Sequence, residues 1–268
     1  MHRHGIVLVA FLLAAIPAYA KPCGDALPGG RVACACGDTV TTDARILATD
    51  PVATSRCRVD GLIVRAARET ETITLDLDGR EIRGSGAGVG IRVMYGGTDG
   101  AQIVGAKAPA RGAVAGFGIG LTAARPDAIA RVTHLELRDN HDEGVRLTIA
   151  GTVFDDVVAT RNGRDGISVR GSGGRFAGVR VSENSENGIR LFTDNAAVNV
   201  HASSNAMSGV IVDGTDNDLE KVESVGNGRD GVVTRGRGGT WEVSRCEDNA
   251  RDDFRVNGRV PKGAEGSR

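Results

Sequence analysis

The chain has 268 residues, 39 of them Gly, with aromatic residues at 3%, charged residues at 25% and a formal net charge of -1. Glycine at about twice its usual share without a Gly-X-Y period excludes collagen, and the balanced charge excludes a charge-driven disordered chain and a basic nucleic-acid binder. So few aromatics in so long a chain argue against one thick core and for a thin, elongated one filled by Val, Ile, Leu and Ala.

The first twenty residues, MHRHGIVLVAFLLAAIPAYA, place Arg3 ahead of an apolar run from Ile6 to Ile16 and end on the small-x-small site Ala18-Tyr19-Ala20. This is the layout of a secretory leader, and the run is too short to span a bilayer. The expected organisation is a leader at 1–20, a cap with four cysteines at 21–57, β repeats at 58–258 and a polar tail at 259–268. Export places the cysteines in an oxidising compartment, periplasmic or extracellular, where disulfides persist. Cys23, Cys34, Cys36 and Cys57 allow three pairings, among which sequence alone does not choose. A metal or redox site is disfavoured, since one residue separates Cys34 from Cys36 and no His lies among the four. Cys246 is left over and reads as a small buried hydrophobe.

Further along, a Gly-apolar-x-apolar strand recurs at Gly61-Leu62-Ile63-Val64, Gly90-Ile91-Arg92-Val93 and Gly118-Ile119-Gly120-Leu121. Between the first two, ITLDLDGREIRG reads as a strand, a turn at Asp78-Gly79 and a second strand. From Asn140 the repeat becomes regular. Asn-x-x-x-Gly-apolar returns at Asn140, Asn162, Asn184, Asn205 and Asn227, with a degenerate copy at Asn249, at spacings of 22, 22, 21, 22 and 22. Five residues after each Asn stand Val145, Ile167, Ile189, Val210, Val232 and Phe254, and seven after it Leu147, Val169, Leu191, Val212, Thr234 and Val256. Apolar residues two apart mean a strand. Eight before each Asn stand Val132, Phe154, Phe176, Ala197, Leu219 and Trp241. Five before it come Val157, Val179, Val200 and Val222, with Leu135 and Ser244 at the ends of that column.

Twenty-two residues are too few for a helix-plus-strand repeat, and the Leu-x-x-Leu-x-Leu signature is missing. The pattern predicts an all-β solenoid, a parallel β-helix of about nine coils, roughly 40 Å long at the strand spacing. Each Asn would stack on the Asn of the next coil as an amide ladder, and the Gly four residues later would permit close backbone approach.

Function would reside on outward positions. His141, Asp142, Glu143, Arg146, Asp165 and Arg190 fall near one edge of neighbouring coils, about 5 Å apart, and form the candidate binding surface. Cross-coil ion pairing on a solvated face accounts for the same residues. His134 and His201 have no repeated partner at ligand spacing.

The Asn-x-x-x-Gly-Ile copies, the stretch CGDTVTTDARILATD, the segment GLIVRA and the strand ITLDLDG together resemble secreted right-handed parallel β-helix proteins of the pectate-lyase-like superfamily. The resemblance runs from about Cys36 to Gly258 and implies a right-handed solenoid. The superfamily includes polyuronide lyases and epimerases as well as proteins with no known activity. Its Gly-His-Gly, Asn-Thr-Asp and Asp-Pro-His-Asp signatures do not occur here, and Asn140-His141-Asp142-Glu143 is a distant echo of the last.

The expectation is an envelope-associated binding or structural module that needs no cofactor. The alternative is a polyuronide lyase or epimerase acting on acidic polysaccharide, for which calcium would be the metal and Arg146 or Arg190 the base. A metal chaperone ranks third, with 5 His and 3 Met in the chain. No nucleic acid and no membrane span are expected, and the chain is expected to be a monomer.

Overall fold

The structure is a computed structural model that describes residues 20–67, 72–97, 99–123, 125, 128–148 and 150–256. The expected leader, apart from Ala20, and the expected tail lie outside the described residues, as does Gly258.

Each coil contributes a short strand to each of three faces. On the first face a twelve-stranded sheet starts with Gly30–Val32 and Pro22–Leu27, an antiparallel pair, and every later strand joins in parallel. Those strands are Asp38–Val40, Leu62–Arg65, Val89–Tyr95, Ile119–Ala123, Val145–Leu147, Ile167–Val169, Ile189–Leu191, Val210–Val212, Val232–Thr234 and Phe254–Val256. From Asp38–Val40 onward these ten strands enclose nine turns of a parallel solenoid. The second face runs from Ala44–Arg45 through strands such as Val153–Asp155 and Arg175–Ala177. The third runs from Arg56–Cys57 through strands such as Leu135–Arg138 and Val158–Thr160. One strand, Asp218–Val225, turns the corner between these two faces and joins them into a single sixteen-stranded path.

Inward positions follow the repeat. Val145, Ile167, Ile189, Val210 and Val232 are fully buried, as are Val157, Val179 and Val222, and Phe154 stacks on Phe176 with ring centroids 5.1 Å apart. The last coil departs from the register. Ser244 is exposed rather than inward, because the ladder between Asp218–Val225 and Trp241–Glu247 slips and sets Val243 opposite Val222. Cys246 is free and half-buried rather than fully buried, and burial pushes its thiol up to about 12.

The corners are built on polar residues. The ladder Asn residues from Asn140 to Asn227 are buried and Asn249 is half-buried: Asn162 Nδ2 donates to Asn184 Oδ1 at 3.0 Å, Asn184 to Asn205 at 2.9 Å and Asn205 to Asn227 at 2.9 Å. The second Nδ2 proton of Asn184 goes to the Ala159 carbonyl at 3.1 Å, and its own backbone N–H goes to Asn205 Oδ1 at 3.2 Å. The residue before each Asn adopts a left-handed conformation, among them Asp139, Arg161, Glu183 and Ser204. At Gly166 the reason for glycine is close approach, since a Cβ would lie 2.7 Å from both Gly188 O and Asn184 Nδ2.

At the N-terminal end the pairing is Cys23–Cys34 and Cys36–Cys57. The helix Pro51–Thr54 covers the end of the core with Val52, fully buried, and Arg31 bonds both oxygens of the fully buried Asp50, at 2.8 and 2.6 Å. An open solenoid end exposes core and strand edge, so this cap has a physical task.

Candidate functional site

The carboxylates of the site come from the turn between the ladder Asn and the first-face strand, and its arginines from that strand's outward positions and the turn itself. The position three after each Asn carries Glu143, Asp165, Asn187, Ser208 and Asp230, all buried. Backbone hydrogen bonds stack these turns coil on coil, so each of these groups faces its equivalents above and below. Asp165 Oδ1 accepts both the backbone N–H and the Nδ2 of Asn187, at 3.0 and 2.8 Å. Burial pushes the Asp165 carboxyl above its ordinary value, against those hydrogen bonds and the nearby Arg190.

Of the six candidate residues, the structure joins five in one ribbon. Arg146 pairs with Glu143 of its own coil and lies 3.9 Å from Asp142. Arg190 reaches back to Asp165 at 3.9 Å and forward to Asp213 at 3.6 Å. Its Nε is buried without a hydrogen bond between those two carboxylates. His141 stands apart: its imidazole packs toward Gly86, on an earlier coil, and no hydrogen bond or ion pair ties it to the carboxylates.

Four residues outside the six extend the ribbon. Arg164 links Glu143 at 3.6 Å to Glu186 at 3.2 Å, and Asp213 links Arg190 to Arg235, the latter at 2.7 Å. The signal was available in the position two after each Asn, where Asp142, Arg164 and Glu186 alternate in sign. Farther along, Arg251 holds Asp230 with two bonds of 2.8 and 2.7 Å, and Arg255 lies 3.9 Å from Asp252. From Arg146 onward six arginines face seven carboxylates, so the ribbon is close to neutral.

Calcium needs six to eight oxygen ligands. The Glu143 oxygens face guanidiniums, and one Asp165 oxygen is filled by Asn187. Among the described residues no three His, Cys, Asp or Glu are grouped to hold a metal. The residues present do not fit the ion. Three clefts lie elsewhere, at Ala115, at Trp241 and at His201, and none is lined by the six candidates.

Residues 118–249 match the family model for the right handed beta helix region. The chain is a right-handed parallel β-helix. That is the fold the resemblance to the pectate-lyase-like superfamily implies. Among solved structures, this β-helix is similar to the enzymatically active domain of bacteriophage CBA120 tailspike protein 2, with TM-score 0.47 and 10% identity over 86% of this chain and 46% of that one. It is similar to a periplasmic alginate epimerase, with TM-score 0.43 and 12% identity over 82% of this chain and 76% of that one. It is also similar to the A-module of the Azotobacter vinelandii mannuronan C-5 epimerase AlgE4, with TM-score 0.38, 13% identity and coverage of 82% and 86%. The chain spans less than half the length of the tailspike domain. No curated protein matches it in sequence. Among the described residues no helix is long and apolar enough to cross a membrane.

Proposed function

We propose that this protein is an exported polysaccharide-binding module of the cell envelope, with the charged ribbon of the first face as its binding surface. Export is supported by the leader-like start and by two disulfides, which persist outside reducing compartments. The ribbon carries the binding reading. Half-exposed guanidiniums, with Arg146 at 39% and Arg190 at 30%, alternate along the coils with the carboxylates of Asp142 and Glu186, at 49% and 31%. A polyhydroxylated chain supplies both partners at once, its hydroxyls accepting from arginine and donating to carboxylate. A nearly neutral ribbon recognises such a chain by hydrogen bonding rather than by long-range attraction, so its binding depends little on salt.

The test is equilibrium binding of neutral and acidic polysaccharides to the intact protein and to an Arg146→Ala/Arg190→Ala variant. The expected result is saturable binding that the variant weakens about tenfold or more. Equal affinity in both proteins would return the ribbon to the role of a solvated sheet face.

One observation favours a second reading, that of a polyuronide lyase or epimerase. Asp165 is a buried carboxyl with a raised pKa beside a guanidinium, an arrangement suited to proton transfer. Incubation with polyuronides, with and without calcium, and analysis for unsaturated or epimerised products decides it, and an Asp165→Asn variant should then lose turnover while keeping binding.

A further inference from the structure

The third face carries a different feature. Arg56, Arg83, Ala115 and Arg138 follow one another in one column across four coils, paired strand to strand. The neighbouring outward column reads Glu81, Ala113 and Glu136. At the strand Gly112–Ala115 both outward side chains are therefore methyl groups, while the strands on either side present arginines. The result is a notch of about 270 Å³, floored by Ala115 and Gly116 and walled by Arg56, Arg83 and Arg138.

The notch already shows what it holds. Glu81 lies across it, with one carboxylate oxygen accepting from Arg83 Nε at 2.7 Å and the other from Arg138 at 2.7 Å. An oxyanion therefore fits between these guanidiniums. Asp139, at the rim, is likewise shared between Arg138 at 2.8 Å and Arg161 at 2.8 Å. Glu136 lies 3.6 Å from Arg138 Nε. Four guanidiniums thus meet three carboxylates, and Arg56 has no ion pair among the described residues. The ribbon on the first face has the opposite balance.

We propose that this notch is an oxyanion subsite, in which Arg56, Arg83 and Arg138 take a carboxylate or sulfate group on a ligand lying over Ala115. Planar guanidiniums match such groups with paired N–H donors, and the methyl and glycine floor lets the anion approach the sheet without a steric cost. Beyond the notch, Thr160, Ser182 and Ser203 continue the column with hydroxyls, Thr160 and Ser182 lying 3.2 Å apart, and leave the path along the face low and polar. The subsite does not depend on the ribbon, because a small free anion suffices to occupy it.

The experiment titrates the full chain with sulfate, with galacturonate and with inorganic phosphate at constant ionic strength, with chloride as the control, following backbone amide shifts. Saturable shifts centred on 83–84, 115–116 and 138–139 are expected. Arg56→Ala, at an exposed side chain, should weaken binding about tenfold. Ala115→Leu fills the notch without changing charge and should abolish binding. Galacturonate in preference to both inorganic ions would assign a sugar carboxylate, and sulfate in preference to phosphate a sulfate ester. The Arg146→Ala/Arg190→Ala variant should bind all three anions as the wild type does, whatever the fate of the polysaccharide reading. Absence of saturable shifts, or equal affinity in wild type, Arg56→Ala and Ala115→Leu, would overturn the proposal.

Discussion

The solenoid changes character at Asn140. On its C-terminal side the coils repeat every 21 or 22 residues and each buries an Asn that bonds the next. On its N-terminal side coil lengths vary and the ladder stops at Phe117, whose backbone N–H donates to Asn140 Oδ1 at 3.0 Å while its ring fills the space beside Gly84. Gly116 before it keeps the left-handed corner. A buried amide needs partners on both sides, whereas an aromatic ring needs only volume. The regular half therefore adds a polar ladder to its apolar core, the irregular half packs an aromatic ring in its place, and irregularity is what leaves the notch at Ala115.

The largest effect should come from the boundary between the halves. Phe117→Ala empties a fully buried ring site and should cost about 3–5 kcal/mol in denaturant unfolding. In a solenoid each coil touches only its neighbours. Hydrogen exchange should therefore rise in the strands around 84, 117 and 137 while the strands after Asn205 keep their protection. Uniform loss of protection would mean that the halves are not distinct.

Next in size is the network itself. Asn184→Ala leaves the backbone N–H of Asn162 buried without an acceptor and takes one donor from the Ala159 carbonyl, at a cost of roughly 1–3 kcal/mol. Exchange should quicken between Ala159 and Asn205, and the coils before Gly118 should not respond. A variant as stable as the wild type would remove the ladder as the support of the regular half.

The smallest effect distinguishes two carboxyls by pH. Burial raises Asp165, so its ionised form is disfavoured by folding. That stability is whole below the ordinary carboxylate range and falls as pH rises through the raised value. Asp165→Asn should therefore be more stable than the wild type at neutral pH and level with it in acid. Asp156 behaves in the opposite sense. Burial opposes its charge, but hydrogen bonds from His134 and Arg111 outweigh burial and hold it below its ordinary value. Its contribution is present above the ordinary range and lost as pH falls through the lowered value, so Asp156→Asn should flatten acid unfolding. Parallel pH profiles for the two variants would refute these assignments.

The repeat register was legible because each inward position keeps one chemical class from coil to coil, as in Val145, Ile167 and Ile189. The Asn ladder was legible for the same reason, whereas the capping cysteines were legible from their clustering behind a leader-like start, which left their pairing open. The left-handed corners were not, since Asp139, Arg161, Glu183 and Ser204 share a conformation and no chemistry. Ser244 was misplaced because a one-residue slip leaves no mark in the spacing of the asparagines. The notch was hidden because its arginines belong to coils of unequal length, so Arg83 and Arg138 share no offset from a common motif, and only strand pairing aligns them with Ala115.

The most direct measurement of the central claim is a titration of the protein with an acidic and a neutral polysaccharide at low and high salt, beside the Arg146→Ala/Arg190→Ala variant. The account predicts saturable binding of the neutral polymer by the wild type, nearly indifferent to salt and weakened about tenfold or more in the variant, and binding of the acidic polymer that salt weakens and that the variant retains in part through the notch. Equal binding by wild type and variant, or binding to neither polymer, would contradict it.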